Sequence, residues 1–209
     1  MALFFSLQEK NFRLAVWKME EEMEVLLRES TLSPADLERV QSFTHVARKK
    51  EWICIRLLLR KLNRNFTIGY RETGKPFLEN SNAHISISHT RDFAAVIISD
   101  AGSAGIDLER IHSRIEKIAG KFVSAQEEKF LDGDKRLEKL FVIWGAKEVL
   151  FKMHSTGELV FKDHLAVEPF EFGSEGSIAA RLTRGDLMKN YALRYKLMDD
   201  LLITWCVDA

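Results

Sequence analysis

Residues 134–153, "DKRLEKLFVIWGAKEVLFKM", are the longest helically periodic stretch of this chain and constrain its fold more than any other feature. Leu137, Phe141, Trp144, Glu148 and Phe151 recur at the i, i+3, i+4 spacing that lines one side of a helix. The spacing predicts an amphipathic helix packed through this stripe, with one carboxylate, Glu148, in line with the core face. A carboxylate in such a place must find a cation or hydrogen-bond donors, or take up a proton. Lys147 and Lys152 border the same stripe.

A second anomaly precedes the helix. The apolar run "FAAVIIS" is followed by "GIDLERI", Gly105 to Ile111, which alternates as a strand does. Asp107 and Glu109 therefore share one face beside a stretch that reads as buried. A solvated strand edge with Arg110 as partner is one explanation for this repulsion, and a divalent ion between the carboxylates is another. For Glu148 the plain alternative is pairing with Lys147 or Lys152 on the helix rim. Taken together, Asp107, Glu109 and Glu148 are three hard oxygen donors without Cys or His, a set that suits magnesium better than zinc. Magnesium held by few protein ligands completes its octahedron with water and substrate phosphates, so a phosphate or pyrophosphate substrate is expected.

The other segments read as a mixture of helix and strand. In "TLSPADLERVQSF" Ser33 is placed to cap, Pro34 suits the first helical position and Asp36 falls in the positive first turn. A second helix is predicted over "VARKKEWICIRLLLRKL", with Trp52, Ile55, Leu59 and Leu62 on one face, a strongly basic opposite side, and a break at "LNRNF". The runs "GKPFLE", "HISISHT" and "FAAVIIS" read as neighbouring strands, and "RIEKIAGKF" and "SAQEEKFL" as helical. The tail, Ser177 to Val207, is interrupted at Arg184-Gly185-Asp186 and Asp199-Asp200, which predicts a three-stranded meander.

Composition narrows the function classes. With 209 residues and 46% hydrophobic content the chain is long enough for a real core. Its 31 Lys and Arg balance 31 Asp and Glu, so no general field draws it to nucleic acid or membrane, and anion binding must come from local clusters. "ALFFSL" ends at Gln8, Glu9 and Lys10, too short to span a bilayer and without a cleavage signature, so a cytoplasmic protein is expected. Cys54 and Cys206 sit among apolar neighbours without metal-binding spacing and read as buried free thiols.

The motif set resembles the 4'-phosphopantetheinyl transferase family, in the branch similar to the surfactin-synthetase-activating (Sfp-like) enzyme. That family carries a G-[IV]-D-[IVL]-E strand followed by a W-x-x-K-E-x-x-x-K helix, and here these are "GIDLE" and "WGAKEVLFK" in the same order. "LSPADLERVQSF" looks like its early helix and "ARKKEWICIRLLLRKL" resembles its basic "R-R-x-E-x-x-x-x-R-x-L-L-R" helix. "GKPFL" with "SISHT" matches its "G-K-P" and "S-[ILV]-S-H" pair, and "IAGKFVSAQE" is similar to its "A-x-R-F-F-[ST]-x-x-E". Departures are Gly145, where a small hydroxyl residue or Cys is common, Val149 in place of Ala or Ser, and Val123 in place of Phe.

The resemblance implies a magnesium-dependent transfer of the phosphopantetheine arm of coenzyme A to a serine of an acyl or peptidyl carrier protein, releasing adenosine 3',5'-bisphosphate. It implies an α/β (α+β) fold of two similar halves related by a pseudo-twofold, residues 1–100 on the coenzyme A nucleotide side and 101–209 carrying the metal strand and the W-x-x-K-E helix. Coenzyme A would lie in the cleft between halves, with the carrier protein docked across its mouth and the chain acting as a monomer. By motif position Asp107, Glu109 and Glu148 would hold magnesium, and Lys147 and Lys152 would contact phosphates, Lys152 being the better placed to serve the leaving bisphosphate. The carrier serine needs a base, for which Glu127 and Glu148, the latter by way of water at the metal, compete. Glu127 also completes the S-x-x-E pattern of a capping box from Ser124.

Lys75 and Pro76 of "GKP", with Ser88 and His89 of "SISH", would line the nucleotide pocket, His89 contacting the 3'-phosphate. Arg48, Lys49 and Arg56 of the basic helix would serve the same phosphate. Read alone, His89 is a strand-end histidine with a backbone partner, and the basic residues form a solvated face. Two other function classes would use the same residues: a catalytically silent relative that binds coenzyme A or the carrier protein, and a magnesium-dependent nucleotide hydrolase.

Overall fold

A computed structural model describes residues 3–30, 32–63, 65–131, 133–154 and 159–208. Ala2, Thr31 and Arg64, which belong to segments quoted above, lie outside the described residues. The fold is mixed α/β, and the chain divides into two compact units, Met1–Ala101 and Gly102–Ala209.

The first unit begins with strands β1 (Leu3–Gln8) and β2 (Phe12–Lys18), then helices α1 (Met23–Ser30), α2 (Pro34–Ser42) and α3 (Val46–Leu62). The short strands β3 (Ile68–Tyr70) and β4 (Pro76–Leu78) follow, then β5 (His84–Thr90) and β6 (Phe93–Ser99). β1, β2, β6 and β5 form an antiparallel sheet in that order. β4 pairs with β3 in a separate two-stranded sheet, so "GKPFLE" neighbours the "HISISHT" strand without hydrogen-bonding to it in a ladder. The reason lies in the turn at Arg71–Lys75, whose backbone bonds close the chain back onto Tyr70.

α2 begins as its sequence dictates: Ser33 Oγ accepts the Asp36 amide at 3.1 Å, with Pro34 at the first helical position. α3 covers the predicted segment and buries Trp52, Ile55 and Leu59 with Ile53, Cys54 and Leu58 against Trp17, Val96 and Ile98 of the sheet.

In the second unit β7 (Ala104–Arg110) leads to a 3-10 turn (Ser113–Lys117), the short helices α4 (Ala119–Phe122) and α5 (Ala125–Glu128), and the long α6 (Arg136–His154). α7 (Phe161–His164) and β8 (Leu165–Val167) precede β9 (Glu175–Arg184), β10 (Leu187–Met198) and β11 (Leu201–Val207). The predicted meander is present, and its edge strand β11 pairs with β7 to give the order β7-β11-β10-β9-β8. Asp199 holds the β10–β11 turn at φ +56°, a left-handed conformation that Asp accepts because its short polar side chain bonds locally.

α6 lies over β7 and β11 at close range because two glycines permit it. A Cβ on Gly105 would stand 2.7 Å from the Val149 carbonyl, and one on Gly145 would stand 2.6 Å from Thr204 Oγ1. The buried face of α6 includes Leu140, Ile143, Ala146, Lys147, Leu150 and Met153; of the predicted stripe Phe141 is buried with them, while Leu137, Trp144 and Glu148 are half-buried and Phe151 is exposed. The stripe that contains Glu148 is thus the flank of the helix rather than its core face. The charged residue that does enter the core is its neighbour, Lys147.

Candidate active site

Strand alternation sets the first half of the site. Gly105, Asp107 and Glu109 face α6, while Ile106 and Leu108 are buried on the opposite side of β7. Asp107 pairs across the sheet with Thr204 and Glu109 with Leu202, so the strand is fixed by β11 on one edge. The other half comes from α6, where Trp144, Glu148 and Lys152 follow one another at four-residue steps along the flank.

The contacts between the two elements are specific. Lys152 Nζ donates to Asp107 Oδ1 at 2.7 Å and to the Ile106 carbonyl at 2.9 Å. The Trp144 indole donates to Glu109 Oε1 at 2.8 Å, an interaction no sequence argument had assigned. Its signals in the sequence are that Trp144 heads the W-x-x-K-E motif and precedes Glu148 by one turn. Arg110, the alternative partner for this acidic strand, turns instead to Asp200.

Burial and mutual repulsion act together on the carboxylates. Burial first, and then the charge of Asp107, push the Glu109 carboxyl up to about 7, with Glu148 adding to the effect and Trp144 opposing it. Glu148 is likewise pushed up to about 7 by burial and by Asp107, with Lys152 opposing. Carboxyls that hold protons this high need a cation before they ionise freely. Among the described residues no group of three or more His, Cys, Asp or Glu side chains forms a ready-made metal-binding cluster. The donor chemistry nevertheless fits magnesium, which takes one or two carboxylates together with waters and substrate phosphates in preference to an all-protein cage.

The other two motif residues of this unit lie elsewhere. Lys147 Nζ and Glu127 Oε2 are 2.8 Å apart, with side-chain exposures of 0% and 1%. Lys147 also donates to the carbonyls of Phe122 at 2.6 Å and Phe161 at 3.2 Å. Glu127 accepts from Ser124 N at 2.7 Å, closing the capping box of α5, and its Oε1 accepts from Val167 N at 2.9 Å. Both carboxylate oxygens and the ammonium are thereby occupied within the protein. Burial holds the Lys147 ammonium below its ordinary range, with Glu127 pulling the other way.

In the first unit, Ile85, Ile87 and His89 occupy the α3 side of β5, which sets His89 beside the opening turn of α3. Arg48 Nη1 lies 3.0 Å from His89 Nε2 and donates to Glu51 Oε2 at 2.9 Å. Arg56 does not join this group. Its Nε donates to Asp36 Oδ1 at 2.7 Å and its guanidinium lies 3.5 Å over the Trp52 ring, tying α3 to α2. Lys49 is half-buried, Ser88 is buried on the opposite face of β5, and Pro76 opens β4 opposite Tyr70. Lys75, half-buried in the turn before β4, has its ammonium lowered by burial and by Arg71.

Comparison with known proteins places the site in context. The description "4'-phosphopantetheinyl transferase superfamily" matches residues 103–206, the stretch that contains both β7 and α6. A 4'-phosphopantetheinyl transferase, AcpT, of Escherichia coli is 34% identical over 138 residues, covering 61% of this chain and 70% of that protein. The AcpT of Salmonella typhimurium is 30% identical over 137 residues, covering 61% of this chain and 71% of the relative.

Proposed function

Because the chain belongs to the 4'-phosphopantetheinyl transferase superfamily, we propose that it transfers the phosphopantetheine arm of coenzyme A to a serine of an acyl or peptidyl carrier protein. The observation that carries this reading is the convergence of Asp107, Glu109 and Glu148 with Lys152 along one line of contact between β7 and α6.

In this reaction the serine oxygen forms a bond to the phosphorus that bears the pantetheine arm. The bond from that phosphorus to the adenosine 3',5'-bisphosphate oxygen breaks, and the serine proton must go to a base. Phosphoryl transfer of this kind asks the protein for positioning and for charge of the right sign. Asp107, Glu109 and Glu148 would hold magnesium, which when bound neutralises the pyrophosphate. Lys152, anchored on Asp107 and on the Ile106 carbonyl, keeps a compact cation where negative charge develops on the departing bisphosphate.

We assign the base to Glu148. It is half-buried rather than enclosed, and it lies on the same flank of α6 as Lys152, beside the groups that would serve the reacting phosphate. Glu127 is closed to an incoming serine, with all its hydrogen bonds made inside the protein. Trp144 holds one oxygen of Glu109. The nucleotide of coenzyme A is assigned to the first unit, where Lys75, Lys49 and Arg48 supply the cationic groups and His89 a ring able to hydrogen-bond.

The Sfp-like branch, a monomeric active form and a cytoplasmic setting belong to the same reading. Two compact units joined in one chain and two buried free thiols support them. Among the described residues no helix is long and apolar enough to cross a membrane. The test is intact-protein mass spectrometry of an apo carrier protein incubated with the chain, coenzyme A and magnesium, with and without chelator. A gain of one phosphopantetheine group that chelator abolishes is the expected result. Consumption of coenzyme A with no gain on the carrier would point to hydrolysis, and neither change across fatty-acid and peptide-type carriers would overturn the transferase reading.

A further inference from the structure

We propose that Glu51 is a positioning residue that fixes the proton on His89 and the direction of Arg48, turning the pair into a receptor for a phosphomonoester. This rests on the reading that the first unit takes the nucleotide of coenzyme A, whose 3'-phosphate is the one terminal monoester of that ligand. Glu51 lies in the second turn of α3, its side chain only 16% exposed, with one oxygen hydrogen-bonded to Arg48 and the other facing the His89 ring. Oε2 accepts from Arg48 Nη1 at 2.9 Å and Oε1 lies 3.5 Å from His89 Nδ1.

The proton order follows from what each group is able to do. A guanidinium only donates, so His89 Nε2, 3.0 Å from Arg48 Nη1, must be the acceptor in the neutral ring. The ring proton then sits on Nδ1, on the side of Glu51 Oε1. One carboxylate therefore orients both groups: it steers the guanidinium by one oxygen and selects the imidazole tautomer by the other. When a phosphate arrives, Arg48 offers its remaining N–H groups to it, while the His89 acceptor and the Glu51 carboxylate hold the guanidinium in place from the other side.

Glu51→Gln keeps the shape of the side chain and breaks this order. An amide has one oxygen and one NH2, so if the oxygen serves Arg48 the NH2 faces Nδ1 and demands an acceptor there. The ring proton must then move to Nε2, where it opposes the Arg48 N–H. The reversed amide meets Arg48 with a donor instead. Either arrangement leaves the Arg48–His89 pair misdirected while the helix around it is unchanged.

The experiment uses the full chain and two probes, coenzyme A and 3'-dephosphocoenzyme A, with affinities from titration calorimetry. The unsubstituted protein is expected to favour coenzyme A by about tenfold or more, the scale of a charged hydrogen-bonded contact. E51Q is expected to erase that preference while holding 3'-dephosphocoenzyme A within about twofold. Nitrogen-15 NMR of the His89 ring should show the proton on Nδ1 in the unsubstituted protein and a changed tautomer in E51Q. In a protein already carrying Arg48→Ala and His89→Ala, adding E51Q should cost nothing further. A preference that survives E51Q, or an equal loss for both probes, would overturn the role of Glu51 while leaving nucleotide binding in place. Failure of the unsubstituted protein to bind either probe would overturn the coenzyme A reading itself.

Discussion

Lys147 and Glu127 form an ion pair 2.8 Å apart with both side chains enclosed, and it ties α6 to the start of α5 and, through the Val167 amide, to β8. Removing one partner leaves a buried charge, at a cost of about 3–5 kcal/mol, whereas replacing both by apolar groups of similar volume is far milder. Lys147→Met should therefore lower the urea midpoint of the second unit strongly, and Lys147→Met combined with Glu127→Leu should recover most of the loss. Recovery of transferase activity in the double variant is expected too. A stable but inactive double variant would place one of these residues in the chemistry.

If the acidic line holds magnesium as proposed, that binding depends on pH. In the unfolded chain Glu109 and Glu148 titrate near 4.5, and in the folded chain near 7. Between those values the folded state binds more protons, so without magnesium their contribution to stability is fully present below pH 4.5 and is lost as pH rises through 7. Magnesium displaces the same protons, so its affinity should climb as pH rises through about 7 and level off above. Calorimetry in two buffers of different ionisation enthalpy reads the released protons directly, and a flat affinity across this range would separate Glu109 and Glu148 from the metal.

Lys152 is held on Asp107 and on a backbone carbonyl, so its position survives without substrate. Lys152→Ala should lower kcat by about 100-fold, the typical loss of one preorganised charge donor, with a much smaller change in KM for coenzyme A. An effect confined to KM would show that the lysine binds substrate without serving the leaving group. Glu148→Gln, which preserves size, should abolish transfer while leaving the thermal midpoint within a few degrees.

Thr204 fills the space beside Gly145. Gly145→Ala should destabilise by about 1–3 kcal/mol through overpacking, although alanine is the better helix former. The clash is with Thr204 Oγ1, a buried oxygen without a hydrogen-bond partner among the described residues. In a Thr204→Ala background, where only the position-204 Cβ at 3.2 Å remains close, the same substitution should cost much less. Chemical denaturation of the four proteins of this cycle tests the pairing.

Much of the architecture was legible in local chemistry. Ser33 and Pro34 marked the start of α2, the apolar spacing marked α3 and α6, and the breaks at Gly185 and Asp199-Asp200 separated β9, β10 and β11. The hairpin β1–β2, helix α1 and strand β8 carried weaker signals and were not foreseen. The expected continuous helix over "RIEKIAGKF" is split at Ile118 into a 3-10 turn and the single turn of α4.

Local spacing also brought out Asp107, Glu109 and Glu148 as a set, because alternation along a strand and periodicity along a helix depend only on neighbours in the chain. Which flank of α6 faces the core does not. The i, i+3, i+4 rule admits two adjacent apolar stripes on this helix, and the choice was made by Gly105 and Gly145, which let the helix settle onto β7 and β11 along the line of Ala146 and Val149. That rotation carried Lys147 into the core to meet Glu127, left Glu148 on the flank beside Asp107, and brought Trp144 to Glu109. Residues adjacent in sequence were thus given opposite tasks by a packing distance that no single segment encodes.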